Sequence, residues 1–372
     1  MATGLGYSAR PGVLSKAGCE ARQRRLLVAM AEAQLDRFFT SNYRTVYYLT
    51  GSLVAADSPV AFALEADGKS LLVTSAKHEA VADRVIPVET YSIERVVDHA
   101  WHDAEALFFD AVTGSGAVGI ERNGTGVLFG QAGSVDATDL ILRLRKRKEA
   151  DELAEIRESL RLIVAAYDAA RATIRPGITE LDVFNAMQAA VVQAAGTFVH
   201  LNGDFAVGER GLRGGGMPTR RVIEPGDLYP LDLFPAPHLY FGDTCRTFVA
   251  GEPSELQLRA QKVVCEAITL GEDMIRPGVA AREVYHEVKR FLDSHEFTEK
   301  SFWHHAGHGI GHHGHEAPRI IPGSDDVFEV GDVITLEPGI YTKAIGGGIR
   351  IEDNYLVTET GLEDVFEYPK TL

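Results

Sequence analysis

An α/β (α+β) fold in two domains is what this sequence predicts, and three observations support it. The chain has 372 residues, whereas single hydrophobic cores stop growing near about 250 residues. Segments with helical spacing of apolar residues alternate with short runs rich in Val, Ile and Leu. One turn sequence also occurs twice in the second half of the chain. Such a repeat predicts a domain built from two related halves.

The composition excludes several classes of protein. Hydrophobic residues make up 45% of the chain and charged residues 24%, which argues against disordered, collagen-like and coiled-coil proteins. The formal charge is −16, so we expect no nucleic-acid partner and no membrane partner. The three cysteines, Cys19, Cys245 and Cys265, are too few for a disulfide framework. With no apolar segment of signal-peptide or membrane-spanning length, a cytoplasmic location is expected.

The first part of the chain alternates between two kinds of pattern. Residues 21–35 carry apolar side chains at helical spacing, which predicts a helix. Residues 36–51 are rich in aromatic and β-branched residues, and residues 59–74 and 106–121 are rich in Val, Ile and Leu. We predict that these three segments are strands of a sheet.

A long helical pattern over residues 137–174 contains the predicted domain boundary. A basic cluster poor in apolar residues, from Arg143 to Lys148, interrupts this pattern. Contacts between domains are sparse at such breaks in burial. We therefore place the boundary near residue 150, which gives one domain over residues 1–150 and a second over residues 151–372.

The repeated turn sequence lies at residues 174–184 and 275–285. In each copy an Ile-Arg-Pro-Gly segment is followed by an acidic residue and an apolar run. The pattern predicts the end of one helix, a Pro-Gly turn and the start of a second helix, where an acidic residue is favoured by the helix dipole. Two copies predict halves related by a pseudo-twofold axis. The alternative is a chance match of a common turn.

Residues 228–248 predict a β-hairpin that carries two aspartates. Two strand-like runs flank a Pro-Ala-Pro-His turn cluster. Asp232 interrupts the first apolar run and Asp243 begins the second. A buried carboxylate without a partner is costly, so two in one hairpin indicate a bound cation or an acid pair. The alternative is that Asp243 pairs with Arg246 and Asp232 is a turn residue.

A histidine-rich segment follows at residues 302–318. It contains six histidines and four glycines. Neutral histidine is the commonest nitrogen ligand of metals, and glycines let the backbone approach a metal or a substrate closely. The flanking apolar residues Phe302, Trp303 and Ile310 predict a buried strand. The alternative is a surface segment that binds metals without a specific role.

Two further apolar runs each contain one glutamate. They are residues 333–341 with Glu337 and residues 347–357 with Glu352, and we predict that each is a strand with the glutamate at its centre. Four carboxylates and one histidine suit a pair of divalent ions such as manganese, cobalt or zinc better than a thiolate zinc site. Two dications would also balance the four negative charges.

With these motifs in this order, the chain resembles the metal-dependent peptidases of the pita-bread fold, which include aminopeptidase P, prolidase and methionine aminopeptidase, with creatinase as a metal-free relative. The segment from Tyr48 to Gly51 is similar to one in the creatinase-type N-terminal domain. The resemblance implies a creatinase-type N-terminal α/β domain followed by a pseudo-twofold pita-bread catalytic domain. It also implies a homodimer formed through the smaller domain.

The resemblance further implies a role for each metal ligand. Asp232 would hold one metal, Asp243 and Glu352 would bridge the two ions, and His308 and Glu337 would complete the second site. A hydroxide bridging the metals would attack the amide bond before proline in short peptides.

Further roles follow from the same resemblance. Glu337 would also shuttle protons, while His304 and His315 would contact the substrate. Arg350 would support the ligand carboxylates. The alternatives are that His304 is a core histidine and that Arg350 forms a structural ion pair.

One position departs from the family pattern. Gly215, inside a run of three glycines, stands where the family has a histidine that contacts the substrate. We therefore expect weak cleavage before proline, and an open space beside the metals that could admit another substrate. A second hypothesis is a metal-dependent hydrolase or lyase of the same fold that acts on a modified amino acid or another small molecule. A third is a non-catalytic binding module, which is disfavoured because all five ligands are present.

Overall fold

The computed structural model describes residues 14–56, 58–75, 79–90, 100–112, 114–122, 133–295 and 300–372. The chain forms two compact units, Met1–Arg145 and Lys146–Leu372. The boundary between two separately folding domains, which we place near residue 150, stays a prediction. Among the described helices, none combines the length and the apolar character needed to cross a lipid bilayer.

The first unit contains a six-stranded sheet in the order β4-β3-β2-β1-β5-β6. Strands β1 to β3 are antiparallel neighbours, whereas the other pairs are parallel. Two apolar clusters are built on this sheet, one around Phe38 and Phe62 and the other around Phe39 and Phe108. Its elements are α1 (Lys16–Glu32), β1 (Arg37–Thr40), α2 (Tyr43–Thr50), β2 (Val60–Glu65), β3 (Ser70–Thr74), β4 (Arg84–Pro87), α3 (Ala100–Ala111), β5 (Val118–Ile120), β6 (Val135–Asp136) and α4 (Thr138–Lys146). Lys146, the last residue of α4, belongs to the second unit.

Two predicted strands of this unit are partly helical. The segment predicted as a strand at residues 36–51 has only four residues in β1 and continues as α2. Asn42 caps α2 by accepting a hydrogen bond from the Arg44 N–H at 3.0 Å, and Gly51 ends it with φ of +71°. These caps outweigh the β-propensity of the aromatic residues between them. The prediction for residues 106–121 was likewise wrong for its first part, which belongs to α3.

The long helical pattern at residues 137–174 is two helices. Helix α4 ends at Lys146, and α5 (Ala150–Thr173) begins after a short break within the basic cluster. At this break the Glu149 N–H donates to Glu152 Oε2 at 2.9 Å, which satisfies a donor at the start of α5.

The repeated turn adopts the same conformation in both copies. Helix α5 is followed by α6 (Glu180–Ala195), and α7 (Glu255–Met274) is followed by α8 (Ala281–Asp293). The turn glycines, Gly177 and Gly278, have φ of +94° and +91°. Their N–H groups donate to Ile223 O and Phe328 O, each at 2.9 Å. Equivalent contacts in both copies indicate a true duplication and exclude a chance match of turns.

The duplication extends further than the sequence analysis recognised. The segments Val-Ile-Glu-Pro-Gly-Asp at 222–227 and Val-Phe-Glu-Val-Gly-Asp at 327–332 form the same turn. In each, the aspartate Oδ2 accepts a hydrogen bond at 2.8 Å from the N–H of the glutamate before it, Glu224 or Glu329. Each turn leads directly into a strand. Asp232 and Glu337 follow these turns at equal spacing, so they occupy matching positions in the two halves.

The second unit contains three antiparallel sheets. The five-stranded sheet has the order β11-β10-β12-β15-β16, the three-stranded sheet has the order β7-β8-β9, and β13 pairs with β14. Its strands are β7 (Gly203–Asp204), β8 (Leu228–Leu233), β9 (Thr244–Val249), β10 (Gly307–Gly309), β11 (Glu316–Ile320), β12 (Val333–Leu336), β13 (Gly339–Thr342), β14 (Gly347–Arg350), β15 (Asp353–Thr358) and β16 (Gly361–Asp364).

The two glutamate-containing runs are each split between sheets. Glu337 lies between β12 and β13, and Glu352 lies between β14 and β15. The prediction of a glutamate at the centre of each strand was therefore wrong. Pro338 has no N–H to continue a ladder, and the chain changes sheet there. Each carboxylate consequently projects from a junction between two sheets.

Candidate metal centre

Four carboxylates, those of Asp232, Asp243, Glu337 and Glu352, converge in the second unit and are called the carboxylate cluster below. The predicted hairpin is present, because β8 pairs with β9 throughout and Asp232 lies opposite Cys245. Cys245 also forms a bridge to Glu352, with N–O distances of 3.3 and 3.0 Å. Asp243 precedes β9 directly. These pairings bring carboxylates from distant parts of the sequence together.

The alternative pairing of Asp243 with Arg246 is wrong. The Arg246 guanidinium is buried and instead pairs with Asp353, which also contacts Lys370 Nζ at 2.8 Å. The backbone of Asp243 is held by Asn354, whose side-chain oxygen accepts the Asp243 N–H at 3.2 Å. The Asp243 carboxylate therefore remains directed at the cluster.

His308 completes the cluster from β10. Its Nε2 lies 3.4 Å from Glu337 Oε1 and 3.8 Å from Asp243 Oδ2. Nδ1 lies 3.0 Å from the Gly309 carbonyl oxygen, so we assign the proton to Nδ1, which leaves the Nε2 lone pair free for a metal. Gly307 permits this arrangement, because a Cβ there would lie 2.2 Å from Thr335 O on the neighbouring strand.

The cluster has the properties of a metal-binding site. Three buried oxygens, Asp232 Oδ1, Asp243 Oδ1 and Glu352 Oε2, have no hydrogen-bond partner within the described ranges. Ligand atoms of Asp243, His308 and Glu352 lie within 4.8 Å of one another. Buried carboxylate oxygens are rarely left unsatisfied, and oxygen atoms with one imidazole suit divalent ions. The residues present therefore fit the predicted metals.

The electrostatics lead to the same conclusion. Burial, and then the neighbouring carboxylates, raise the pKa values of Asp243 and Glu352 well above their usual range. Burial would also raise the pKa of Glu337, but His305 and His308 lower it well below its usual range. The cluster thus holds more negative charge than its protein neighbours neutralise, and a cation would supply the missing charge.

Arg350 lies against the cluster. It forms an ion pair with Asp232 Oδ2, and its Nη1 donates to the Tyr341 hydroxyl at 3.2 Å. The Tyr341 hydroxyl in turn lies 3.0 Å from His304 Nε2. Tyr341 was missed by the sequence analysis, although it stands close to Glu337 in the same run. The supporting role of Arg350 stays a prediction.

The predicted substrate-binding histidines have different surroundings. His304 is largely buried, and burial lowers its pKa to about 4, so it is neutral at neutral pH. His315 is exposed, with its ring centroid 4.0 Å from that of His308. His305 was not predicted to be a site residue. Its Nδ1 lies 2.9 Å from Glu337 Oε1, whereas His304 Nδ1 lies 3.8 Å from Glu337 Oε2. Sequence spacing gave no signal to choose between two adjacent histidines.

The three glycines at residues 214–216 line a pocket of about 400 Å³ beside the cluster. We expected an open space here, and part of it is taken, because a Cβ on Gly215 would lie 2.2 Å from Asp204 Cγ. Asp204 reaches the glycines through β7, a contact that the sequence does not record.

Comparison with known families covers nearly the whole chain. The model of metallopeptidase family M24 matches residues 154–359, and that of the creatinase/prolidase N-terminal domain matches residues 22–163. An Xaa-Pro dipeptidase from Pyrococcus furiosus is 28% identical over 341 residues, which is 91% of this chain and 96% of the relative. An uncharacterized peptidase from Staphylococcus aureus is 30% identical over 238 residues, which is 64% of this chain and 67% of the relative.

Solved structures give the same result. The prolidase from Pyrococcus furiosus has a TM-score of 0.77 at 26% identity and covers 92% of this chain and 99% of its own. The Xaa-Pro dipeptidase from Bacillus anthracis has a TM-score of 0.80 at 26% identity and covers 95% and 99%. These matches confirm the predicted fold, with its creatinase-type N-terminal domain followed by the catalytic domain. The chain therefore belongs to metallopeptidase family M24 and is a metallopeptidase-like hydrolase.

Proposed function

We propose that this protein is a dinuclear metal-dependent peptidase that cleaves the amide bond before proline in short peptides. The carboxylate cluster with His308 carries the proposal, because its three unsatisfied buried oxygens fit divalent ions. The similarity to enzymes named prolidase and Xaa-Pro dipeptidase, over more than nine tenths of both chains, supports the substrate class.

The ligand roles follow the sequence analysis. Asp232 would hold one ion, Asp243 and Glu352 would be shared, and His308 and Glu337 would hold the other. Manganese, cobalt and zinc all accept such a set of oxygen and imidazole ligands. When bound, the ions would activate a water molecule and polarise the carbonyl group of the substrate.

The protein's own groups would move and hold the protons. Glu337 Oε1 faces His305 Nδ1 and His308 Nε2, which leaves Oε2 to accept a proton from the attacking water. Glu337 could then deliver that proton to the leaving nitrogen, since its pKa is kept low by the two histidines. His304 is neutral, its Nδ1 donates to the His305 carbonyl oxygen and its Nε2 accepts from the Tyr341 hydroxyl, so it would contact the substrate through the face of its ring. His315, at the exposed edge, would contact the rest of the substrate.

A conservative substitution tests the role of Tyr341. In Tyr341→Phe, His304 Nε2 and Arg350 Nη1 lose the hydroxyl that joins them, so we expect kcat/KM for an Xaa-Pro dipeptide to fall about tenfold, the equivalent of one good hydrogen bond. Tyr355→Phe is the matched control, because Tyr355 also loses a hydrogen bond, to Glu272 Oε1 at 2.7 Å, in a different part of the unit. Equal effects of both variants would contradict the role of Tyr341.

A second candidate function rests on the pocket at Gly215. Gly215 stands where the family's substrate histidine is expected, and the Asp204 carboxylate lies where the Cβ of that residue would be. This favours a substrate other than an ordinary Xaa-Pro dipeptide, such as a modified amino acid, and a hydrolase or lyase reaction at the same metal centre.

A substrate panel separates the two candidates. The metal-loaded protein is assayed on Xaa-Pro dipeptides and on non-peptide amides of amino acids, with each metal in turn. We expect metal-dependent cleavage of Xaa-Pro peptides with kcat/KM below about 10⁵ M⁻¹s⁻¹, which is modest for an enzyme. Activity on the non-peptide amides alone would support the second candidate. No turnover of either class by protein with full metal content would contradict the proposed function.

The cellular setting of the enzyme also remains a proposal. Cys19, Cys245 and Cys265 form no disulfide among the described residues, and the first two are buried. Free thiols are typical of a reducing compartment, which supports the cytoplasm. The dimer that the family resemblance implies stays a prediction.

A further inference from the structure

The pocket beside the carboxylate cluster contains a carboxylate that the proposed mechanism does not use. Asp204 lies on β7 directly opposite Asp232 on β8. Side chains of opposed residues in an antiparallel pair project from the same face of the sheet. Asp204 therefore projects on the same side as a proposed metal ligand. The pocket is also lined by Trp303, His304 and His305.

Asp204 is held in place at one oxygen and free at the other. Its Oδ1 accepts a hydrogen bond from the Gly216 N–H at 2.8 Å. Within the part of the chain that the structure describes, Oδ2 has no hydrogen-bond or ion-pair partner. The residue is half-buried. A half-buried carboxylate with one fixed and one free oxygen is suited to bind a ligand, because little ordering is needed when the ligand arrives.

The conformation of Asp204 requires glycine at position 215. A Cβ at that position would lie 2.2 Å from Asp204 Cγ and 2.3 Å from Oδ2, and real Cβ atoms do not approach other atoms so closely. Asp204 in this position and any side chain at residue 215 thus exclude each other. The glycine and the aspartate act as one unit that places a negative charge in the pocket.

The other groups of the pocket favour a cation as the ligand. The Trp303 side chain is 54% exposed and offers an aromatic surface, which attracts cations. Arg350 is neutralised by its ion pair with Asp232. Two other groups of the lining would favour an anion, Arg213 and His305. Arg213, at the rim, is exposed and its charge is screened by water and salt, and His305 Nδ1 lies 2.9 Å from Glu337 Oε1, which offsets its charge. Asp204 is half-buried and less screened by water, so its negative charge should determine which ligand the pocket prefers.

We propose that Asp204, made possible by Gly215, is a specificity-determining residue that binds a cationic side chain of the substrate, such as that of lysine or arginine. The inference rests on the proposed function in that it assigns a substrate class to the same metal centre. The enzyme then prefers peptides or amides that carry a positive charge next to the cleaved bond.

Two matched peptide series test the preference on the metal-loaded enzyme. Lys-Pro, Met-Pro and Glu-Pro vary the charge before the cleaved bond, and Ala-Pro-Lys, Ala-Pro-Met and Ala-Pro-Glu vary it after the bond. In one series we expect kcat/KM for the lysine member to exceed that for the methionine member by about tenfold, as for a charged hydrogen bond. Asp204→Asn, which keeps the acceptor for Gly216 N–H, should remove this preference.

Two further variants sharpen the test. Gly215→Ala should also remove the preference, because its Cβ displaces the Asp204 carboxylate. Arg213→Gln is the matched control and should not lower the lysine preference. The proposal is overturned if the wild-type enzyme shows no preference for lysine in either series, or if the preference persists in Asp204→Asn.

A binding measurement keeps the inference independent of peptide cleavage. The rise in melting temperature of the metal-loaded protein is compared for lysine amide and methionine amide, in the wild type and in Asp204→Asn. Lysine amide should give the larger rise in the wild type only. Absence of peptide turnover together with this difference would reject the proposed function and keep the inference, whereas equal rises for both amides would reject the inference itself.

Discussion

Asp243→Asn is expected to abolish the gain in melting temperature that manganese, cobalt or zinc gives the wild-type protein. Asp243 shares the cluster with Asp232, Glu337 and Glu352, and its Oδ1 is buried without a partner within the described residues. An ion that binds only the folded state stabilises it by RT ln(1 + [L]/Kd), which is about 2.7 kcal/mol at 100-fold saturation. A variant that cannot hold the shared position loses this contribution.

The same substitution should have the opposite effect without metal. In the metal-free protein, burial and neighbouring carboxylates raise the pKa of Asp243 well above its usual range. When the pKa of a carboxyl group is higher in the folded than in the unfolded state, the folded state loses stability as the pH rises above the pKa of the unfolded state. The charge of Asp243 is therefore destabilising at neutral pH. The neutral asparagine removes that cost. In chelator at pH 7, Asp243→Asn should therefore melt at a higher temperature than the wild type.

Melting curves in chelator and in metal, with elemental analysis, measure both effects. The wild type should hold up to two ions per chain and Asp243→Asn fewer. Asp325→Asn is the control, because the Asp325 side chain is 99% exposed. Less than half an equivalent of metal in the loaded wild type, or equal metal-induced shifts in the wild type and Asp243→Asn, would show that the carboxylate cluster is not a metal centre.

Glu337→Gln is expected to lower kcat/KM for a cleavable Xaa-Pro peptide by at least about 10³-fold. Glu337 is proposed both to bind a metal and to carry the proton. General acid–base catalysis alone contributes about 10²–10⁴-fold, and loss of a metal ligand adds to this. Glutamine keeps the size of the side chain but can neither accept the proton nor balance the charge of a protonated His305.

Kinetics combined with metal content separate the two roles of Glu337. If Glu337→Gln keeps two ions and still loses activity in kcat, the proton role is supported. Loss of one ion with a matching loss of activity would support the ligand role alone. Glu359→Gln, at an exposed turn, is the control. Activity of Glu337→Gln within tenfold of the wild type would contradict both roles.

Much of the cluster was predictable because its chemistry leaves a mark on the sequence. An acidic residue or a histidine inside a short apolar run is costly to bury, so Asp232, Glu337 and Glu352 stand out without any structure. Their order along the chain, with the repeated Pro-Gly turn, also indicates the fold. The second repeat, at residues 222–227 and 327–332, is also present in the sequence. Its two copies share fewer consecutive residues than the Ile-Arg-Pro-Gly copies of the first repeat, so it is harder to recognise.

Local composition failed where caps and chain breaks decide the structure. Helix α2 contains the aromatic and β-branched residues of a strand, but Asn42 and Gly51 cap it as a helix. The prediction of strands with central glutamates failed for a similar reason. Periodicity in a run of apolar residues shows that the run is buried, but it does not show where the run passes from one sheet to the next.

The sequence by itself determined the family of the chain and the candidate residues of its metal centre, because those properties depend on residue type and order. The tertiary structure alone decided which atoms face one another. It placed His305 nearer to Glu337 than His304, brought Tyr341 between His304 and Arg350, and placed the Asp204 carboxylate beside Gly215. Such contacts join residues far apart in the chain or choose between neighbours, and they are fixed by strand pairing and close packing, which no local pattern records.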